Sequence, residues 1–374
     1  MEGTPGLHRQ HQRPALKAEL VFGPDAIARL REDWDKLYLC ADRPFLSQSF
    51  DWNWCAWQAY AMPQGARPCC ATVREEGRLR LVWPLAIRRH RGLWSVATAP
   101  APSECTDPLV EPCEDAGDLA EAACDRIWAE CGADLIYIDF LRADTPVHAA
   151  LRRRRPHWAR ALESFAAEWE GCPGWDGYYA SLGKGIRRKF ETGQKRLSEA
   201  GELRFEVVEC QSERDRMVRW ILEQKARWLD GKSRRSDFVG ARAYEDLLLA
   251  ASRAVWPLGS VAIFRLSLGG EPVAAEYHLL NEHRLDYILG TYLKECERLT
   301  PGHVLRRHVL KWAHDRGIAY NFGPGRDRYK EALSNRVTPF ADLRFANSLR
   351  GRLFVLLKQG TAMLRPGKGE PAEE

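Results

Sequence analysis

Between residues 259 and 330 the spacing of hydrophobic and polar positions changes repeatedly, and each change marks the edge of a predicted element. The run 259–268 (GSVAIFRLSL) is β-branched and apolar and stops at Gly269-Gly270, a two-residue hairpin signal. Residues 272–280 (PVAAEYHLL) are apolar except for Glu276 and His278, which the period of two along a strand brings to one face of a sheet. After a turn at 281–284, residues 285–292 (LDYILGTY) predict a third strand. The sequence Leu299-Thr300-Pro301-Gly302 then leads into helical spacing over 303–316, which Gly317 ends, and 318–322 (IAYNF) predicts a fourth strand.

The rest of the chain can be read in the same way. Residues 19–24 predict an opening strand, and the helix begun at Asp25 carries Ile27, Leu30, Trp34 and Leu37 at helical spacing. Ser49 is placed to cap a helix whose Trp52, Trp54, Trp57 and Tyr60 form a core-facing stripe. Residues 68–74 and 79–88 predict a hairpin across Glu75-Glu76-Gly77, continued by 93–97; the loop 100–108 (PAPSECTDP) is expected to line a cleft. A helix over 118–131 and a buried strand over 135–140 follow. After Trp175 a similar order recurs, with helix 184–200, strand 203–208, helices 212–230 and 241–255, and then the strands above. This recurrence predicts an α+β fold of two related halves, 19–170 and 175–350, with the boundary in the polar stretch 171–176 and a disordered tail at 366–374.

Composition narrows the function. A chain of 374 residues, 45% hydrophobic and 29% charged, has ample material for burial and argues against long disorder. A net charge of +5 suits a small anionic partner better than a nucleic acid. The eleven cysteines include no C-x-x-C pair, which fits neither a zinc site nor a disulfide framework. The first twenty residues have no apolar core of a signal peptide and no run is long enough to span a membrane, so a cytoplasmic protein is expected. There is also no G-x-S-x-G, P-loop or G-x-G-x-x-G.

The candidate chemistry lies at the helix that starts near residue 301. Thr300 can cap it, Pro301 suits its first turn and Gly302 permits close backbone approach, so its amides and positive dipole end would face a pyrophosphate. Thr300, Gly302, His303 and Val304 are the candidate cofactor-binding residues. Lys184, Arg187, Arg188 and Lys195 share one face of the helix 184–200, with Arg187 and Arg188 the candidates for an anionic group. Asp327 and Lys330, in the charged run 326–330, are candidates for substrate contact, with an exposed ion pair as the alternative. Glu276 and His278 are the candidate general bases. Desolvation is expected to raise the Glu276 pKa, and a structural pair with Arg265 is the alternative.

The order of hairpin, strand, T-P-G-x-x-L helix, Y-N-F-G strand and D-x-x-Y-K resembles the acetyltransferase-like domain of the BioF2-like and cellulose-biosynthesis (CelD) proteins of the GNAT superfamily. Pro301, Gly302, Leu305, Asp327 and Lys330 carry it, and residues 181–189 (SLGKGIRRK) resemble a segment shared with the related Fem-type transferases. Asn321 departs from an aspartate frequent in that family. The resemblance spans roughly residues 20–350 and implies a tandem GNAT-like fold of two mixed sheets flanked by helices. It further implies an acyltransferase that uses acetyl-CoA or another acyl-CoA as co-substrate, without a metal, to acylate a sugar or amino sugar in polysaccharide or cell-envelope biosynthesis. Two other readings are a non-catalytic scaffold in polysaccharide secretion that has lost cofactor binding, and Fem-like transfer from aminoacyl-tRNA, for which a larger basic surface is expected.

Overall fold

Hairpin glycines and alternating runs place the strands, and the strands set everything else. The computed structural model describes residues 15–363 except Arg91, Pro173, 232–235 and Asp237. The tail expected at 366–374 lies outside these described residues. The first half consists of β1 (Lys17–Phe22), α1 (Pro24–Ala28), α2 (Arg31–Cys40), α3 (Phe50–Ala56), β2 (Arg67–Glu75), β3 (Arg78–His90), β4 (Trp94–Thr98), β5 (Leu109–Val110), α4 (Ala116–Glu130), β6 (Leu135–Arg142), α5 (Pro146–Arg153) and β7 (Trp158–Ala167). The second consists of α6 (Gly174–Ser181), α7 (Lys184–Ala200), β8 (Leu203–Val207), α8 (Gln211–Gly231), α9 (Arg242–Arg253), β9 (Ser260–Leu268), β10 (Glu271–Leu280), β11 (Arg284–Tyr292), α10 (Pro301–His314), β12 (Ala319–Pro324), α11 (Arg328–Leu333), β13 (Arg336–Ala346) and α12 (Leu349–Met363).

Most expected elements stand where the sequence puts them. The Ser49 hydroxyl accepts from the Trp52 amide at 3.2 Å, as its capping position requires. The helix expected from Asp25 is instead two helices, α1 and α2, which together bury Ile27, Leu30, Trp34 and Leu37.

Each half repeats one plan. An antiparallel pair leads to a strand that crosses over through a helix to a parallel neighbour: β4 to β6 through α4, and β11 to β12 through α10. A short helix and a last strand follow, β7 in the first half and β13 in the second. These last strands are exchanged. β7 pairs with β12 of the other half, β13 pairs with β6 of the other half, and the two pair with each other. The two mixed sheets expected from the element order therefore meet edge to edge in a single 13-stranded sheet, with β6-β13-β7-β12 at its centre.

Helices cover both faces. One apolar cluster lies between the first half's strands and α4 and α5, and another holds α7 and α10 against β9–β12. A third joins the halves, packing Trp52, Ala56 and Tyr60 of the first half on α8, α9 and Tyr277 of the second. Packing of α7 on α10 is close enough that a Cβ on Gly193 would stand 2.5 Å from the Thr300 hydroxyl and 2.8 Å from Val304.

The exchange makes each half incomplete alone, because β6 lacks its neighbour β13 when the chain stops before the second half. Residues 15–170 expressed alone should show no cooperative thermal transition by circular dichroism, whereas the whole chain should melt in one step. Two separate transitions in the whole chain would show the halves to be independent.

Candidate functional site

The parallel pairing of β11 with β12 is short. Arg284, Leu285 and Asp286 face Ala319, Tyr320 and Asn321, after which the two strands part, although β11 continues to Tyr292. Ile288 is an extra residue in β11, since Tyr277 faces Leu289 and His278 faces Tyr287, and such a bulge bends the strand locally. A cleft of about 520 Å³ opens at this gap, with the first turn of α10 at its mouth and Glu276 in its wall.

Glu276 is 2% exposed, and both its oxygens are engaged. Arg306 of α10 donates to Oε1 at 2.7 Å; the Tyr320 hydroxyl donates to Oε2 at 3.1 Å, where Nε2 of His278 also lies at 3.1 Å. Burial alone pushes this carboxyl up, but Arg306 and the hydrogen bond to His278 outweigh it and leave Glu276 below the usual carboxylate range. The expected upward shift is thus reversed. Arg265 is not its partner; that side chain pairs with Glu206 and Glu213. Arg306 also stacks over the rings of Tyr329 at 4.3 Å and Tyr287 at 5.2 Å.

His278 shares the face of Glu276, as the period of two requires, but it is fully buried among Phe264, Tyr287 and Tyr320 and does not line the cleft. Burial holds its imidazole below the ordinary value. It supports Glu276 from behind.

At the start of α10, Thr300 has φ +55°, and its hydroxyl makes no capping bond, contrary to expectation. Its carbonyl instead accepts from the amides of His303 at 3.0 Å and Val304 at 3.3 Å. Thr300, Gly302 and His303 line the cleft. Val304 does not: its amide is committed and its side chain is fully buried against α7. A Cβ on Gly302 would stand 3.3 Å from the Tyr292 ring, so the crowding falls on that wall and not on the helix amides. Burial, with Lys189 and Arg306 nearby, pushes the His303 imidazole down to about 4, so it is neutral at pH 7.

From α7 the cleft receives Ile186 and Lys189; Arg187 and Arg188 are not part of its lining. Asp327 does line it, and caps α11 by accepting from the Tyr329 amide at 3.3 Å. Lys330 donates to the carbonyls of Pro324 at 2.8 Å and Gly323 at 3.3 Å, and it is not part of the cleft lining. Sequence reasoning passed over Lys189, Tyr287, Arg306 and Tyr329. Arg306 had a signal, standing one helical turn after Gly302.

The corresponding gap of the first half is filled. β4 and β6 pair only through Val96–Leu135 and Ala97–Ile136, and the loop 100–108 occupies the space beyond. The Thr106 amide donates to the Phe140 carbonyl at 3.3 Å, and Asp107 accepts from the Arg142 amide at 2.8 Å. Among the described residues no group of three or more His, Cys, Asp or Glu side chains is arranged to hold a metal, and no helix is long and apolar enough to cross a membrane.

Residues 184–331, which contain the open gap, match the family described as an acetyltransferase (GNAT) domain. Solved structures show the same architecture over nearly the whole chain. FemX has a TM-score of 0.64 at 12% identity, covering 91% of this chain and 100% of that one. The C-terminal domain (DUF2156) of a putative lysylphosphatidylglycerol synthetase from Agrobacterium fabrum has a TM-score of 0.54 at 14% identity, covering 89% and 96%. A protein of unknown function from Bacteroides thetaiotaomicron has 0.53 at 10% identity, covering 87% and 99%. A search of curated proteins gave no significant match. The chain has a GNAT-type fold, a mixed sheet flanked by helices.

Removing the Glu276 charge leaves Arg306, only 12% exposed, without its counter-ion. Glu276→Gln should therefore lower stability at pH 7 by about 3 kcal/mol or more, measured by urea unfolding. Because the folded-state pKa is depressed, the stabilisation is present above the unfolded carboxylate pKa and is lost as pH falls through the folded value. The gap between variant and wild type should close in acid below the usual carboxylate range, and a gap independent of pH would show that the charge contributes nothing.

Proposed function

We propose that the protein is an acyl-CoA-dependent acyltransferase whose donor site is the cleft at the β11–β12 gap. One observation carries this reading: two parallel strands part beside the first turn of the helix that connects them, and the opening between them is a cleft. The first turn, through the Gly302 backbone and the side chains of Thr300 and His303, would hold the pyrophosphate together with Lys189 and Arg328, two of the cationic side chains that line the cleft. A helix start blocked by its own side chains would favour the scaffold reading; Thr300, Gly302 and His303 in the cleft lining favour a ligand site instead. The thioester supplies an activated acyl carbon; the protein supplies position, through the parted strands, and a polar wall, through Glu276, Arg306 and Tyr287. Glu276 then serves to fix Arg306 and the tyrosines, because its oxygens are fully engaged.

An amino-sugar or sugar acceptor in envelope or polysaccharide synthesis is supported by the BioF2-like and CelD motifs, of which Asp327 lines the cleft. Fem-like aminoacyl transfer is the second reading, favoured by the likeness to FemX along the whole chain.

Calorimetry with acetyl-CoA tests the proposal. The wild type should bind, and Gly302→Val should weaken binding by about tenfold or more, roughly 1.4 kcal/mol, because its branches must displace the Tyr292 ring. Failure of the wild type to bind any acyl-CoA would leave the scaffold or aminoacyl-tRNA reading in its place.

A further inference from the structure

The loop 100–108 belongs to the first half, yet its Glu104 rests on a strand of the second. A Cβ on Gly323 would overlap Oε2 of Glu104, and Gly323 has φ +77°, so only glycine suits β12 here. The loop is fixed on either side of Glu104. The Ser47 and Ser103 hydroxyls both donate to the Cys105 carbonyl, at 2.9 Å and 3.1 Å, and the Thr106 amide donates to β6.

This places Glu104 at the gap, on the face away from α10. Leu285, Tyr320 and Phe322 pack under α10, whereas Asp286 and Asn321 alternate with them and are joined by a 2.9 Å hydrogen bond on the opposite face. Two charged groups act on the Glu104 carboxyl, Lys330 on α11 and Asp286 on β11, and its own charge raises the hydroxyls of Tyr287 and Tyr329 in the cleft wall and of Tyr244 on α9.

We propose that Glu104 is the base of the acyl transfer, taking the proton of an amine or hydroxyl acceptor that meets the acyl carbon through the gap from the face opposite α10. The proposal rests on the acyltransferase reading above. In the step, the acceptor's lone pair forms the new bond to the acyl carbon, the C–S bond breaks with its electrons going to sulfur, and the acceptor's proton passes to the Glu104 carboxylate. Glu276 cannot play this part, because its partners hold it as a stable anion. Glu104 is suited to it: burial pushes its carboxyl up, Lys330 pulls it back and Asp286 adds to the rise, giving a value of about 8.

The test uses the whole chain carrying carbon-13 at its glutamate carboxyls, with Glu104→Gln identifying the Glu104 signal. That signal should titrate with a midpoint near 8 and should move when acetyl-CoA is added. A midpoint in the ordinary carboxylate range, or a signal unmoved at concentrations where calorimetry shows acetyl-CoA bound, overturns the proposal. No acetyl-CoA binding at all removes the donor-site reading and the proposal with it. With glucosamine as acceptor and thiol release as the measure, Glu104→Gln should lower kcat by about 10²- to 10⁴-fold, abolish the rise in rate through pH 8 and leave acetyl-CoA affinity unchanged. An unaltered rate and pH profile in that variant would exclude Glu104 while keeping the acyltransferase reading. The titration decides whether or not glucosamine is accepted.

Discussion

One buried charge pair, Arg306 with Glu276, governs the layout of the cleft. Taking two charges out of water costs several kcal/mol per ion, and only a close, fully hydrogen-bonded geometry offsets that cost. The carboxylate side meets this condition, with Arg306 at 2.7 Å and Tyr320 and His278 completing its shell, whereas the Arg306 Nε has no hydrogen-bond partner among the described residues. The pair ties α10 to β10 at a fixed rotation, and Gly302, four residues before Arg306, is thereby turned toward the cleft. Neighbouring residues give way to it. A Cβ on Gly290 would meet Glu276 Cγ at 3.0 Å and the Tyr287 ring at 2.9 Å, so β11 carries no side chain at that point.

The two halves use one plan to opposite ends. Each has a parallel pair that begins at the foot of a crossover helix and soon parts, which leaves an opening in the sheet that must be filled or used. In the first half the loop 100–108 fills it, bonding to β6 through Thr106 and Asp107. In the second half no such loop intervenes, and the opening is the cleft. The exchange of β7 and β13 brings the halves into one sheet, which places the filled side of the first half next to the open side of the second. Glu104 reaches across for that reason.

Much of this arrangement could be read before any coordinates, because it follows from local patterns. The Gly269-Gly270 hairpin, the shared face of Glu276 and His278 and the helix start at Pro301 depend on spacing within a few residues. Strand β13 was not legible. It contains Pro339, which argues against a central strand, yet its ladder with β6 begins only at Phe340, so the missing amide costs nothing on that side. Partners far apart in sequence were equally hidden. Arg265 was the nearest arginine to Glu276 along the sheet, but it turns to Glu206 and Glu213, and the true partner lies 30 residues away on a helix. The direction of the Glu276 pKa was misjudged for the same reason, since an apolar strand sequence records burial and not the counter-ion that outweighs it.

Two carboxylates now stand on opposite faces of one gap, with their environments pushing them in opposite directions. Glu276 is surrounded by donors and is held ionised; Glu104 has burial and Asp286 raising its pKa, with Lys330 as the opposing cation. Both settings follow from the same constraint. The face under α10 gains a counter-ion from the helix, whereas the other face meets the loop 100–108 of the first half, which sets Glu104 against Gly323. A carboxylate brought in by a loop and desolvated there is costly to ionise, and burial outweighs Lys330 in raising its proton affinity. The cleft wall comes wholly from the second half, His303 and Asp327 included, and the loop 100–108 adds from the first half the carboxylate that the proposed transfer uses.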